Sequence, residues 1–221
     1  MNQFDIKKII AFSTCSQLGY MFLACGFSGF SIGLFHLIIH AFFKALLFLL
    51  AGYLIHTMFS EQDIRFYGSA IQLMPFSFFL MIIGILCLIG VPYFSGNYSK
   101  EKIIELLYNG ILYSNIEFLY LKLFSILIYS MFISHFCIIC TIFYNIKTLS
   151  FIYFNDYNNT KQLLLKIHYI VYNKSTFFFG YLFILPLILL SIISLFIGYY
   201  TQETIIGFHN YQTTITSYIY A

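Results

Sequence analysis

The strongest chemical signal in this sequence is a set of three residues spaced four apart, His36, His40 and Lys44. On an α-helix, with about 100° of turn per residue, positions i, i+4 and i+8 share one stripe about 80° wide. Two imidazoles, which titrate near neutral pH, aligned with an amine suit the passing of protons from group to group. The plainer alternative is two histidines bonded to helix carbonyls and a lysine paired with a carboxylate. The setting favours the relay, because the run 29–56 around them is otherwise apolar. A charged side chain at mid-bilayer costs on the order of 2.5–3.5 kcal/mol on insertion scales, so it marks a pathway or a partner.

Lys100 is the second candidate. It follows a cluster that ends or kinks a helix, Gly90, Pro92 and Gly96 with Ser95, Asn97 and Ser99 beside them. A broken helix frees backbone groups that a membrane tolerates only where protein or water satisfies them, and such breaks recur at ion sites in transporters. Glu105, a turn beyond Glu101, is expected to help balance the lysine. The alternative is an amphipathic helix end over 98–105 whose charges reach out to water. Ser13, Thr14, Ser16 and Gln17 form a polar patch in the first apolar run, suited to water or to hydrogen bonds between helices.

Other chemistries find no support. His135, Cys137 and Cys140 read as H-x-C-x-x-C, but nothing nearby completes the four ligands of a zinc site, so no metal is expected. The sequence has no glycine-rich phosphate loop and no paired C-x-x-C for a redox centre, so no cofactor is expected in this chain. The net charge of +3 is too scattered for nucleic acid.

The elements that position these residues must be membrane helices. The 221 residues are 61% apolar and 9% charged, against roughly 25% charged in soluble proteins, and so few charges cannot cover a water-facing surface. The five cysteines lie in apolar stretches, which argues against an extracellular disulfide framework. Runs long enough to cross a bilayer, about 20 residues each, cover 9–27, 29–56, 118–146 and 176–200. A continuous helix over 74–113 would be roughly 60 Å long, so it must break, and the break is expected near 90–97. The expected fold is all-α, a single polytopic transmembrane domain over 1–221 with about five transmembrane helices, the third discontinuous.

Charge asymmetry chooses one crossing for 74–113 rather than two. With one, Lys7, Lys8, Arg65, Lys147, Lys161, Lys166 and Lys174 share a face, and the opposite turns and the tail 201–221 carry no Lys or Arg. The charged face, with the N-terminus, is then cytoplasmic or, in a mitochondrion, on the matrix side. Twenty Tyr, 28 Phe and no Trp suit an A/T-rich, organellar genome.

Four consecutive stretches, DIKKIIAFSTCSQLGYMFLACG (Asp5 to Gly26), FHLIIHAFFKALLFLLAG (Phe35 to Gly52), EQDIR (Glu61 to Arg65) and GVPYFSGNYSKE (Gly90 to Glu101), resemble NADH dehydrogenase subunit 5. That is an antiporter-like membrane subunit of respiratory complex I. The match is dense over 5–105; beyond it, SLFIGYY (Ser194 to Tyr200) and helix spacing are what remain. The resemblance implies part of one antiporter-like inverted repeat, the last four helices of the second repeat plus the next. It implies that His36, His40, Lys44 and Lys100 carry a proton path, with Ser13, Ser16, Gln17, Glu101 and Glu105 in support. The usual residues after EQDIR are replaced by Phe66, Tyr67, Gly68 and Ser69, and the usual aspartate by Glu101.

The function implied is a proton-translocating, non-redox subunit fragment of NADH:ubiquinone oxidoreductase in the mitochondrial inner membrane. Its implied partners are other membrane-arm subunits, lipid and a separate polypeptide supplying the first repeat. Two alternatives share the motifs: a subunit of a multisubunit cation/proton antiporter, and a non-conducting structural piece of the membrane arm.

Overall fold

The computed structural model describes residues 3–58, 60–114, 121–155 and 174–206. Its helices are α1 (Ile6–Gly26), α2 (Phe30–Thr57), α3 (Ala70–Leu73), α4 (Pro75–Ile89), α5 (Ser95–Ser114), α6 (Leu121–Leu149) and α7 (Lys174–Ile206), with a 3-10 turn over Ile64–Phe66 and a π-helical turn over Ser150–Phe154. Four stretches, Ile6–Gly26, Phe30–Thr57, Ser125–Phe154 and Ile184–Ile205, are long and apolar enough to cross a membrane, and α4 is a shorter apolar helix. With α4 and α5 as one broken crossing, this is the all-α polytopic fold that the sequence implied.

Helix α2 is the central element. It is apolar nearly all round: Phe35, Ile39, Phe43, Leu46, Leu50 and Leu54 are fully buried, whereas Leu34, Leu37, Phe48 and Leu49 on its remaining side are exposed. Helices α1, α4, α5 and α7 pack around it. The outer faces of α1, α6 and α7 likewise expose large apolar side chains such as Phe22, Phe132 and Phe196, the surface that hydrocarbon requires.

The break between α4 and α5 follows from local chemistry. Pro75 opens α4, where its missing N–H is no loss. Gly90 closes it in the left-handed region (φ 84°), with its N–H on the Leu86 carbonyl at 3.0 Å. Helix α5 does not begin beyond that end but beside it: a Cβ on Gly96 would lie 1.8 Å from the Cys87 carbonyl oxygen, so only glycine fits there. The two pieces overlap by about a turn, so the crossing is shorter than a continuous helix over the same residues would be.

Their direction is set by contacts with α2. Gly84 lies against Leu47, Ser99 reaches His36, and Leu106 meets Gly29. Residue numbers rise along α4 and α5 as they fall along α2, so the broken pair runs antiparallel to α2 as one crossing. Helix α7 runs alongside in the same sense, with its Ser194 carbonyl 3.4 Å from Cys87 Sγ, Gly198 against Ser95, and Tyr199 edge-on to Tyr98.

The same geometry gathers the basic residues. The Ile6 N–H donates to Gln62 O at 3.0 Å and the Ile64 N–H to Phe4 O at 2.9 Å, tying the N-terminus to the 60–65 turn. Arg65 and Lys147 both sit over the Phe4 ring, at 4.4 and 4.3 Å from its centroid. Lys8 pairs with Asp5 at 2.7 Å and Lys7 is exposed. Lys174 starts α7, whereas Lys161 and Lys166 lie outside the described residues.

Candidate functional site

Helix periodicity puts His36, His40 and Lys44 on one buried stripe of α2, and all three are at most 9% exposed. The imidazoles are neighbours, with ring centroids 6.1 Å apart. Lys44 Nζ donates to Ser13 Oγ and lies 3.4 Å from the Ile10 carbonyl oxygen, so α1 holds one end of the stripe. At the other end His36 spans two helices, with Nε2 3.3 Å from Gln17 Oε1 of α1 and Nδ1 2.8 Å from Ser99 Oγ of α5.

Ser99 can serve both protonation states of His36. The Gln17 oxygen only accepts, so Nε2 carries a proton and the neutral ring accepts at Nδ1 from the Ser99 hydroxyl. When Nδ1 is also protonated it donates to the Ser99 oxygen, and the hydroxyl proton turns to the Gly96 carbonyl 3.3 Å away. The heavy atoms need not move, which is what a group that repeatedly gains and loses a proton requires.

Lys100 is 3% exposed and follows Ser99 directly. Its amine donates to the carbonyl oxygens of Leu88 and of Ile89, the latter at 3.2 Å. These are end carbonyls of α4, left without intrahelical partners by the break and carrying the negative end of the helix dipole. The cation is thus held by backbone rather than by a carboxylate. Among the described residues, no acidic oxygen lies within 4 Å of either Lys44 or Lys100.

The expected counter-charge is therefore misplaced. Glu105 pairs with Lys102 at 2.8 Å, and Glu101 is exposed and accepts from Asn97 at 3.2 Å. Five residues along a helix is about 140° of rotation, so Glu105 faces away from Lys100, whereas Lys102 and Glu105 at i and i+3 are neighbours. Ser16 is likewise turned away, its hydroxyl on the Ser13 carbonyl at 2.8 Å, and Thr14 bonds Ala11 O at 2.6 Å. Of the polar patch, Ser13 and Gln17 reach the stripe. His135 faces outward, with Nδ1 on the Met131 carbonyl at 2.9 Å.

Two contributors escaped the sequence reading. Ser99 was legible only as part of the break, because its partner is 63 residues away. Tyr20 lies beside both His36, at 6.4 Å between ring centroids, and Lys100, whose Nζ is 5.7 Å from the ring centroid. Sequence gives it no distinction from the other 19 tyrosines. Two buried nitrogens along the stripe, Gln17 Nε2 and His40 Nε2, have no hydrogen-bond partner among the described residues. Buried donors and acceptors of this kind call for water or an exchanging partner.

The chain is 41% identical over 206 residues to NADH-ubiquinone oxidoreductase chain 5 of Metridium senile, covering 93% of this chain and 30% of that protein. Chain 5 of Chondrus crispus is 41% identical over 205 residues, 93% of this chain and 28% of its own, and chain 5 of Acanthamoeba castellanii is 40% identical over 93% of this chain and 27% of its own. The likeness therefore extends well past residue 105, where the motifs thin out, and the chain spans less than a third of these relatives' length. A sequence model of the NADH:quinone oxidoreductase/Mrp antiporter transmembrane family matches residues 1–129, which hold α1 to α5 and all four residues of the stripe and the break, and the chain belongs to that family.

Proposed function

We propose that this chain is a proton-translocating membrane piece of NADH:ubiquinone oxidoreductase, with protons passing along Lys44, His40, His36 and Lys100. The observation that supports it best is that Lys44, His36 and Lys100, with His40 on the same stripe, are buried titratable side chains, and those three are held by neutral oxygens. A carboxylate partner would fix each lysine as a permanent cation, whereas carbonyls and hydroxyls leave its charge free to change. Charge arriving at one end of the line alters the proton affinity of the next group, so energy released elsewhere in a complex is transmitted as an electrostatic coupling. In this reading flavin, iron–sulfur clusters and quinone are held by other subunits, and this chain brings no redox centre.

The reading extends to the surroundings. The membrane is the mitochondrial inner membrane, with the basic face that gathers Lys7, Lys8, Arg65 and Lys147 toward the matrix, as the distribution of positive charge supports. Other membrane-arm subunits are its partners, which the composition of the purified complex tests. The decisive functional test is Lys100→Met in the intact complex. Assembly is retained, while protons moved per NADH oxidised fall clearly below the unaltered complex; an unchanged ratio overturns the reading. Purification with a cation/proton antiporter, without NADH-oxidising subunits, would transfer the same path to that machine.

A further inference from the structure

We infer that Tyr20 is a positioning residue for Lys100, whose ring face stabilises the charged lysine and whose hydroxyl fixes that ring to α6. This rests on the proton path proposed above and adds to it a group outside the line itself.

The geometry gives Tyr20 three attachments on three helices. Its ring is edge-on to His36 of α2. The Lys100 ammonium of α5 stands over it within the distance at which an aromatic quadrupole attracts a cation. Its hydroxyl donates to the Ser134 carbonyl of α6 at 2.5 Å, so the ring cannot swing away from the lysine. Tyr20 is 3% exposed. A buried phenol had no need to be placed here for packing alone, since leucine or phenylalanine would fill an apolar seam.

The other groups around Lys100 leave this contribution distinct. His36, His40 and Lys44 of α2 lie within electrostatic reach of it, and each, when protonated, disfavours a second cation. From α4 it meets two end carbonyls. Cys137, Cys140 and Tyr144 of α6 lie toward the Tyr20 phenol. Glu101, Lys102 and Glu105 of its own helix are turned away and engaged with Asn97 or with each other, and Glu203 of α7 is exposed. Favourable contacts for the ammonium are thus the α4 carbonyls and the Tyr20 face.

The test uses the intact complex in sealed vesicles, with protons moved per NADH oxidised followed across pH. Tyr20→Leu and Tyr20→Met both remove the ring, the latter keeping a long side chain in its volume, and Tyr20→Phe keeps the ring but loses the anchor. Loss of a desolvated cation–π contact should move the alkaline limb of the profile toward lower pH by about one unit in the Leu and Met variants. The Phe variant should stay within a few tenths of a unit of the unaltered limb, at a reduced rate. A Leu or Met limb that coincides with the Phe limb overturns the assignment while leaving Lys100→Met free to support the path. If Lys100→Met pumps normally, the path and the role of Tyr20 fall together.

Discussion

The chain handles its cations in two opposite ways. On the basic face, Lys8 and Arg65 lie beside Asp5 and Asp63, and Arg65 and Lys147 share the Phe4 ring, all in contact with water. In the interior, Lys44 and Lys100 are buried and meet a hydroxyl, carbonyls and a ring. Exposed pairs gain little because water screens them and long side chains lose freedom, but they fix which face is which. Buried cations gain more from each contact, yet without a carboxylate they are not locked in the charged state. In the proposed path, charge that stays fixed lies where it is cheap, and charge that changes lies where its neighbours can control it.

The largest expected effect comes from breaking the joint that holds the interior arrangement. Gly96→Ala places a methyl on the Cys87 carbonyl, so α5 must move off α4 and the Lys100 amine loses the carbonyls it caps. The cost is at or above the roughly 1–3 kcal/mol of ordinary overpacking, read as a sharp drop in assembled complex and in its thermal midpoint. A normal yield would mean the overlap of the two half-helices is not required.

A milder break targets the relay alone. Ser99→Ala leaves His36 Nδ1 buried without its partner, a loss of about 1–3 kcal/mol, and should slow coupled proton movement severalfold with assembly intact. Ser99→Thr restores the hydroxyl and should recover most of the rate. Equal rates for the Ala and Thr variants would show that the hydroxyl takes no part.

The smallest effect belongs to the basic face. Hydrogen bonds from the Arg65 side chain hold the Asp63 carboxyl below the usual carboxylate range. A carboxyl with a depressed folded-state value stabilises the fold above the unfolded value, about 4, and loses that contribution as pH falls through the folded value. Asp63→Asn should therefore lower the thermal midpoint only slightly at neutral pH, and the difference should vanish on acidification below that depressed folded-state value. A large loss at neutral pH would erase the distinction drawn between the two regions.

Much of the site was legible in advance because helix geometry is local. The i, i+4, i+8 spacing fixed the shared face of His36, His40 and Lys44, and Gly90 with Pro92 marked the break. The same rule, applied to Lys100 and Glu105, would have shown them facing apart. Charge complementarity alone suggests that pairing, and helix geometry forbids it. The partnership between Lys100 and backbone carbonyls was beyond reach, because carbonyl groups are the same at every residue and only the end of a helix makes them available.

By itself the amino-acid sequence determined that the chain lies in a membrane as helices, which face carries its positive charge, and which titratable residues share a stripe. Each follows from composition or from a repeat within a few turns. The tertiary structure alone decided that α5 starts beside α4 and not beyond it, that α1 supplies Ser13, Gln17 and Tyr20 to the stripe, and that no described carboxylate reaches the buried lysines. Those outcomes depend on contacts between residues from 9 (Cys87 and Gly96) to 114 (Tyr20 and Ser134) positions apart. Packing of whole helices chooses such contacts, and no short-range pattern encodes them.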